Sequence, residues 1–207
     1  MFKKTLQKSY SLLAPIYDSF VDIPTRAARQ RSLNQLGDVH GKNILLCGIG
    51  TGLDIPYLPA GAHYTGIDFT YQMLKRAQKR ITTQDISLHL GDVMQLPYPD
   101  QHFDIVIMHL ILAVTPFSQR TFDEANRVLV HNGKLLILDK FLQKGQRATV
   151  RRLFSPLIGK LATRTDVVFE ELNHPGLTVQ SDTPALAWGW FRHILLHKEN
   201  GHGSKKA

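Results

Sequence analysis

The sequence predicts an α/β fold, a doubly wound and mostly parallel sheet of seven strands with an antiparallel edge strand. Three observations support this fold class. From residue 43 to residue 141, short apolar stretches alternate with stretches of helical periodicity, as in a parallel sheet covered on both faces. A glycine-rich turn follows the first apolar stretch. The last two apolar stretches lie too close together for a helical crossover, so they predict an antiparallel hairpin at one edge.

Each element is predicted from its own residue pattern, in chain order. Residues 5–36 are predicted to be helical, with breaks near Pro15 and Pro24. A helix is predicted to start in LDIPYL, from residue 53, and the helix over 119–129 is predicted to end before the turn HNG. The remaining predicted elements are a helix over 70–81 and strands over 43–49, 63–69, 86–92, 102–110, 134–141, 177–184 and 190–198.

Length and composition are those of a soluble globular protein with one domain. The chain has 207 residues, of which 43% are hydrophobic and 20% are charged. A single cysteine, Cys47, excludes an internal disulfide, so nothing in the sequence requires an oxidising compartment. The first twenty residues contain no apolar stretch of signal-peptide length. We therefore expect a cytoplasmic protein, with peripheral attachment to the inner face of the membrane as an open alternative.

The formal net charge of +8 is concentrated in two parts of the chain. Between Lys140 and Thr165 there are seven basic residues and no acidic residue, and residues 1–32 are also rich in lysine and arginine. Apolar residues recur at helical spacing in the first of these segments, which is typical of an amphipathic helix. Such a segment either packs on the sheet with a solvated basic face or lies on an anionic membrane surface.

The glycine-rich turn indicates a nucleotide-like ligand. Gly48, Gly50 and Gly52 follow the first strand, and Asp68 closes the second strand twenty residues after Gly48, where an acid can bind ribose hydroxyls. The spacing is G-x-G-x-G, with Leu53 where dinucleotide-binding sequences place a third glycine or alanine. This spacing disfavours a pyrophosphate, and hence a nicotinamide oxidoreductase, and favours a cofactor that has ribose but no phosphate, commonly S-adenosylmethionine.

Five stretches in order resemble the class I S-adenosylmethionine-dependent methyltransferases, and specifically their small type-11 or UbiE-like group. They are SYSLLAPIYDSF (9–20), ILLCGIGTG (44–52), YTGIDFTYQMLKRAQKR (64–80), GDVMQLPYPDQHFDIVI (91–107) and EANRVLVHNGKLLILDKF (124–141). Within the group, GIGTGLDIP and LILAVTP look most like bacterial phosphatidylethanolamine N-methyltransferases. The resemblance implies the Rossmann-like methyltransferase fold and S-adenosyl-L-methionine as the cofactor. It also implies three regions: an N-terminal helical lid over 1–36, the methyltransferase domain over 37–198 and a disordered tail over 199–207.

The resemblance assigns cofactor-binding roles by position. The three glycines would line the methionine portion, Asp68 would bind the ribose hydroxyls and Phe69 would pack by the adenine. Asp92, with Val93 beside it, would take the adenine amino group. The structural alternatives are that Asp68 caps a strand end and that Asp92 is a turn residue.

The chain departs from the family pattern at Leu46. Two residues before the first glycine the family has an acid that helps to hold the ammonium group of the methionine portion, and leucine cannot accept a hydrogen bond. Losing a hydrogen bond to a charged group costs about 1.5–3 kcal/mol. Either another group, such as Asp54 or a backbone carbonyl at Cys47, receives the ammonium, or the cofactor binds more weakly.

Methyl transfer mainly requires alignment of the acceptor, so few catalytic residues are expected. His109, at the end of the fourth strand, is the candidate base, with a structural cap as the alternative. Tyr17, in PIYD of the lid segment, is the candidate aromatic face for a cationic centre. The histidines lack metal-ligand spacing, so no metal is expected. Trp188 and Trp190 are candidates for the wall of the acceptor pocket.

The predicted function is methyl transfer to a small or lipidic acceptor, such as a phospholipid amine or a quinone ring. The alternative is a non-catalytic cofactor- or lipid-binding protein with a degenerate first motif. Nucleic acid is disfavoured as a partner because HLIL (109–112) stands where base-amine methyltransferases carry an Asp/Asn-Pro-Pro-aromatic motif. The sequence contains no sign of an obligate protein partner.

Overall fold

A computed structural model describes residues 22–142, 167–186 and 189–200. Several predictions lie outside these ranges: Tyr17 and the rest of the lid before residue 22, the amphipathic basic segment from residue 143 onward, Trp188 and most of the tail. The boundaries of the three regions therefore stay predictions. Within the described ranges, none of the helices has the length and apolar character that a membrane crossing requires.

One seven-stranded sheet organises the described residues. Its strand order is β3-β2-β1-β4-β5-β7-β6. All neighbouring pairs from β3 to β5 are parallel, whereas β7 is antiparallel to both β5 and β6. The elements are α1 (22–33), β1 (Asn43–Cys47), β2 (His63–Asp68), α2 (Tyr71–Gln78), β3 (Ile86–Leu90), β4 (Phe103–His109), α3 (Ser118–Val128), β5 (Leu129–Lys140), β6 (Leu177–Leu186) and β7 (Phe191–Lys198). The predicted fold class is confirmed, and the reversed strand is β7, with β6 at the edge.

The sheet is covered on both faces because its central strands are apolar throughout. On one face, Leu45 and Val106 pack with Phe122 and Ala125 of α3. On the other face, side chains of β1 and β4 pack with α1 and α2; this cluster includes Ile44, Leu46, Ile105, Ile107, Leu33, Leu36, Leu74 and Ala77. Alternate residues of a strand point to opposite faces, which explains the division between the two clusters.

Three local predictions were wrong. The chain after the glycine turn forms only a 3₁₀ turn, Ile55–Tyr57, instead of the predicted helix, because Pro59 has no N–H to continue it and favours the extended conformation of Leu58 before it. The predicted turn at HNG lies inside β5, which begins at Leu129 and passes through an irregularity opposite β4. Asn132 there has a φ of +60°. Pro24 lies within α1, not at a break, near the start of the described helix.

Helix α1 is fastened to the C-terminal hairpin. His193 of β7 bonds through Nε2 to the carbonyl oxygen of Ala28 at 2.8 Å. Arg31 donates from Nη2 to the carbonyl oxygen of Ala185 in β6 at 2.7 Å. His193 is buried at 3% exposure, so this bond lies inside the protein. The hairpin thereby fixes the position of α1 over the carboxyl ends of β1 and β4.

Candidate active site

The turn after β1 places three glycines at the carboxyl end of the sheet. Gly48, Gly50 and Gly52 have φ values of +67°, +57° and +77°, where a side chain is strained. A Cβ on Gly48 would lie 2.4 Å from Cδ1 of Ile111, and one on Gly52 would lie 2.7 Å from Cδ1 of Ile55. A Cβ on Gly50 would meet only the carbonyl oxygen of Gly48, at 3.9 Å. Side chains of the protein therefore fill the space beside Gly48 and Gly52, whereas the space beside Gly50 is open to a ligand.

Asp68 ends β2 directly beside this turn. The backbone N–H of Gly50 donates to Oδ2 at 3.0 Å, and that of Thr70 donates to Oδ1 at 2.8 Å. Burial raises the pKa of Asp68 to about 6, although both backbone bonds act to lower it. Each oxygen accepts one of these bonds and has a second lone pair, so the carboxylate can still receive ribose hydroxyls. Asp68 caps the strand end, as the structural alternative supposed, and is also well placed for a ligand.

The next loop along the sheet edge contains Asp92 and Val93. The N–H of Gly91 donates to the carbonyl oxygen of Asp68 at 3.0 Å, which joins this loop to the end of β2. Oδ1 of Asp92 accepts from the N–H of Met94 at 2.9 Å, so the residue has the turn role considered for it. Val93 is buried at 6% exposure, and Asp92 is half-buried. Phe69, just after Asp68, is also half-buried.

Three side chains of α3 hold this loop in place, and the sequence had not identified them as site residues. Arg120, Glu124 and Arg127 bond to the backbone of residues 94–98 at distances of 2.7–3.1 Å. Arg127 and Glu124 also pair with each other at 2.8 Å. The Glu124–Arg127 spacing within one helical turn, just before a strand, was the available signal.

A cleft that is open to solvent lies beside the glycine turn. It is lined by Arg29, Gly48, Ile49, Gly50, Thr51, Leu53, Asp54, His109 and Leu110. The cleft therefore lies between the turn, the end of β4 and α1. Within the described part of the chain, no cluster of residues has the composition of a metal site.

His109 lies in this cleft with both ring nitrogens engaged. Nδ1 lies 3.0 Å from Oδ2 of Asp54, and Nε2 lies 2.9 Å from Oγ of Ser32. Burial acts to raise the pKa of Asp54, but His109 and Arg29 outweigh it, and the pKa is lowered. An ionised carboxylate only accepts hydrogen bonds, so Nδ1 donates to Asp54, and Nε2 shares a hydrogen bond with the Ser32 hydroxyl.

Arg29 is the other side chain that fixes Asp54. Its side chain is only 2% exposed, and Nη1 donates to Oδ1 of Asp54 at 3.3 Å. Nε donates to Oγ1 of Thr25 at 3.1 Å, and Nη2 pairs with Asp22. A buried guanidinium is costly unless its donors are satisfied, and here each nitrogen has a partner. Composition gave no reason to single out this arginine among the basic residues near the N-terminus.

The loop after β4 closes one side of the cleft. Leu110 has a φ of +57°, and its N–H donates to the carbonyl oxygen of Leu138 at 2.8 Å. Oδ2 of the buried Asp139 accepts from the N–H of Ala113 at 3.2 Å. Burial raises the pKa of Asp139 to about 6. The loop is thus fixed by β5, with Ile111 packed over Gly48.

The described site residues meet along one edge of the sheet. The glycine turn contacts Asp68 directly, Asp68 contacts the loop of Asp92, and the cleft brings His109 to the other side of the turn. Trp190 is 45% exposed beside the carboxyl end of β5, since its carbonyl oxygen accepts from Phe141 at 3.0 Å.

Comparison with known proteins relates this chain to methyltransferases. A family model described as a methyltransferase domain, Methyltransf_11, matches residues 45–137. A phosphatidylethanolamine N-methyltransferase of Cereibacter sphaeroides is 29% identical over 199 residues, which cover 93% of this chain and 97% of the relative. Together these similarities support a methyltransferase that depends on S-adenosylmethionine.

Other relatives of this methyltransferase fit the same assignment. A demethylmenaquinone methyltransferase of Renibacterium salmoninarum is 32% identical over 132 residues, 61% of this chain and 55% of the relative. A solved S-adenosylmethionine-dependent methyltransferase of Thermotoga maritima, described as a possible histamine N-methyltransferase, has a TM-score of 0.69 at 17% identity. The alignment covers 93% of this chain and 99% of that one, which shows the shared fold.

The similarity to methyltransferases implies S-adenosyl-L-methionine as the cofactor, and the residues present fit it. Gly50 leaves open space at the turn, and Asp68 retains lone pairs for ribose hydroxyls. Position 46, the usual place of an acid, is Leu46, which is buried at 2% exposure. Position 46 therefore offers no hydrogen-bond acceptor of the kind that the family pattern places there.

Proposed function

We propose that this methyltransferase acts on the amine of a phospholipid headgroup such as phosphatidylethanolamine. The observation that carries the proposal is the end-to-end similarity to a phosphatidylethanolamine N-methyltransferase, over 93% of this chain and 97% of that relative. The similarity to a demethylmenaquinone methyltransferase covers only 55% of that relative, so it supports a quinone acceptor less strongly.

Transfer would be an in-line displacement, for which bound S-adenosylmethionine supplies a methyl group activated by its sulfonium. We assign the methionine portion to Gly48, Gly50 and Gly52, the ribose to Asp68 and the adenine to Phe69, Asp92 and Val93. The contribution of these residues is to hold the reactants at one distance and angle, which removes much of the entropic barrier.

A protonated amine has no free electron pair, so it must lose a proton before its nitrogen can attack. We propose that His109 takes up this proton at Nε2. The Ser32 hydroxyl bonded to Nε2 would then accept from it, and the Asp54 carboxylate would stabilise the imidazolium through Nδ1. Tyr17 would place an aromatic face beside the cationic acceptor. Replacing His109 with Gln should lower kcat, because a glutamine amide cannot take up a proton.

A phospholipid acceptor requires access to a membrane surface. The seven basic residues between Lys140 and Thr165 support peripheral attachment to anionic lipid, since each can contribute about 1 kcal/mol near such a surface. The protein should co-sediment with vesicles containing phosphatidylglycerol, much less with neutral vesicles, and salt should release it. Failure to bind anionic vesicles at low salt would favour a water-soluble acceptor.

Label transfer tests the acceptor. The purified protein is incubated with methyl-labelled S-adenosylmethionine and one of three vesicle types. The first contains only phosphatidylglycerol, the second contains phosphatidylglycerol and phosphatidylethanolamine, and the third contains phosphatidylglycerol and a demethylated quinone. We expect label in the phosphatidylethanolamine product only, and none with an Asp68→Asn control. Label in the quinone alone would overturn the proposed acceptor. Binding of S-adenosylhomocysteine without transfer to any of these acceptors would indicate a non-catalytic binding protein.

A further inference from the structure

The side chain at position 46 faces an apolar environment. Leu46 pairs with Ile107 in the β1–β4 register, and both belong to the cluster that contains Leu33 of α1 and Leu36, three residues beyond it. Leu46 is 2% exposed, and Leu33 and Leu36 are each 1% exposed. A carboxylate at this position would be surrounded by aliphatic groups, which is costly without a partner.

Asp54 lies on the same face of the sheet, one step closer to its carboxyl edge. Ile107 and His109 are two residues apart on β4, so their side chains point to the same face. His109 reaches Asp54 at 3.0 Å from the position just beyond Ile107. Helix α1 independently places Asp54 next to the apolar cluster. Leu33 of this helix packs in the cluster that contains Leu46, and Arg29, which lies one helical turn before Leu33, donates to Asp54 at 3.3 Å.

We infer that Asp54 replaces the acid that is missing at position 46, and that its carboxylate receives the ammonium group of the methionine portion of S-adenosylmethionine. Asp54 and Gly50 line the same cleft, so the carboxylate lies beside the turn that leaves open space for the cofactor. This inference concerns the cofactor and does not depend on the acceptor proposed above.

The chemistry of Asp54 suits a cation. Oδ1 accepts from Arg29 and Oδ2 accepts from His109, and a carboxylate offers two lone pairs on each oxygen. Its side chain retains 13% exposure, in contrast to 2% for Arg29. Arg29 is fixed by Thr25 and Asp22 as well, so it holds the carboxylate in position. Arg29 and His109 thus orient Asp54 without consuming its capacity to accept.

Two ligands distinguish binding of the ammonium group by Asp54 from a purely structural role of this residue. S-adenosylhomocysteine has the ammonium group, whereas 5′-methylthioadenosine has the same nucleoside and sulfur without the amino-acid portion. In calorimetric titration, Asp54→Asn should lower the affinity for S-adenosylhomocysteine about tenfold or more, which is the loss expected for one hydrogen bond to a charged group. The same variant should bind 5′-methylthioadenosine as the wild type does.

Asp22→Asn is the matched control, because it also removes a carboxylate from Arg29 but lies outside the cleft lining. It should leave both affinities near those of the wild type. Leu46→Glu should not tighten S-adenosylhomocysteine, because the ammonium group already has a partner. The inference is overturned if Asp54→Asn leaves S-adenosylhomocysteine unchanged or weakens both ligands equally, if Asp22→Asn has the same effect, or if Leu46→Glu tightens binding.

Discussion

The geometry of the glycine turn predicts that substitutions at Gly48 and Gly50 differ in their effects on packing and on ligand binding. Gly48→Ala and Gly50→Ala both place a methyl group at a positive φ, and each therefore costs about 1–2 kcal/mol of conformational strain. Only the Gly48 variant adds a steric conflict, since its Cβ would lie 2.4 Å from Cδ1 and 2.8 Å from Cγ1 of Ile111. Overpacking of this kind costs a further ~1–3 kcal/mol.

Urea denaturation of the ligand-free protein measures the difference. We expect the free energy of unfolding to fall by about 1–2 kcal/mol for Gly50→Ala and by about 2–5 kcal/mol for Gly48→Ala. In Gly48→Ala/Ile111→Ala the conflict is removed, so the double variant should be more stable than the sum of the two single changes predicts.

Calorimetric titration with S-adenosylhomocysteine gives the complementary result. The Gly50 variant should lose affinity although it remains folded, because its methyl group enters the space left for the cofactor. The reasoning is refuted if Gly50→Ala binds normally, or if both variants lose the same stability and the double variant shows no coupling.

Three further predictions concern neighbouring residues. Because burial raises the pKa of Asp68 to about 6, affinity for S-adenosylhomocysteine should fall as the pH drops below about 6, and titrations of Asp68→Asn should lack this dependence. Burial also raises the pKa of Asp139 to about 6, so between about pH 6 and 4 this carboxyl is protonated in the folded chain and ionised in the unfolded chain. The free energy of unfolding therefore gains a contribution as the pH falls through this range. In urea denaturation, Asp139→Asn should reduce this gain. Arg127→Ala should speed amide hydrogen exchange in residues 94–98 and weaken S-adenosylhomocysteine severalfold, whereas exchange in β1 should stay unchanged.

The sequence predicted the fold well because the elements that define it have strong local patterns. The apolar run before Gly48 and the absence of a crossover before β7 were enough to predict the parallel sheet and its hairpin. The 3₁₀ turn after the glycines was not predicted because LDIPYL has helical spacing, whereas Pro59, just beyond it, prevents the helix from continuing.

The candidate site was only partly predictable, for a different physical reason. Asp68 is the last residue of β2 and Asp92 lies two residues after β3, so their position in the sequence places them at the sheet edge. The bonds of Arg29 to Asp54 and of Ser32 to His109 join residues 25 and 77 positions apart. No local pattern encodes such contacts, because they arise only when α1 packs across β1 and β4.

The attachment of α1 to the last hairpin determines when the site can form. Ala28 and His193 are 165 residues apart, and Arg31 and Ala185 are 154 apart. A growing chain therefore presents the glycine turn and α1 long before the hairpin that anchors the helix has been synthesised. Contacts of such high sequence separation form late, since loop closure opposes them until the intervening chain is ordered. Cofactor binding should therefore require the hairpin, and loss of the hairpin should abolish binding even though the residues proposed to bind the cofactor all lie upstream of it.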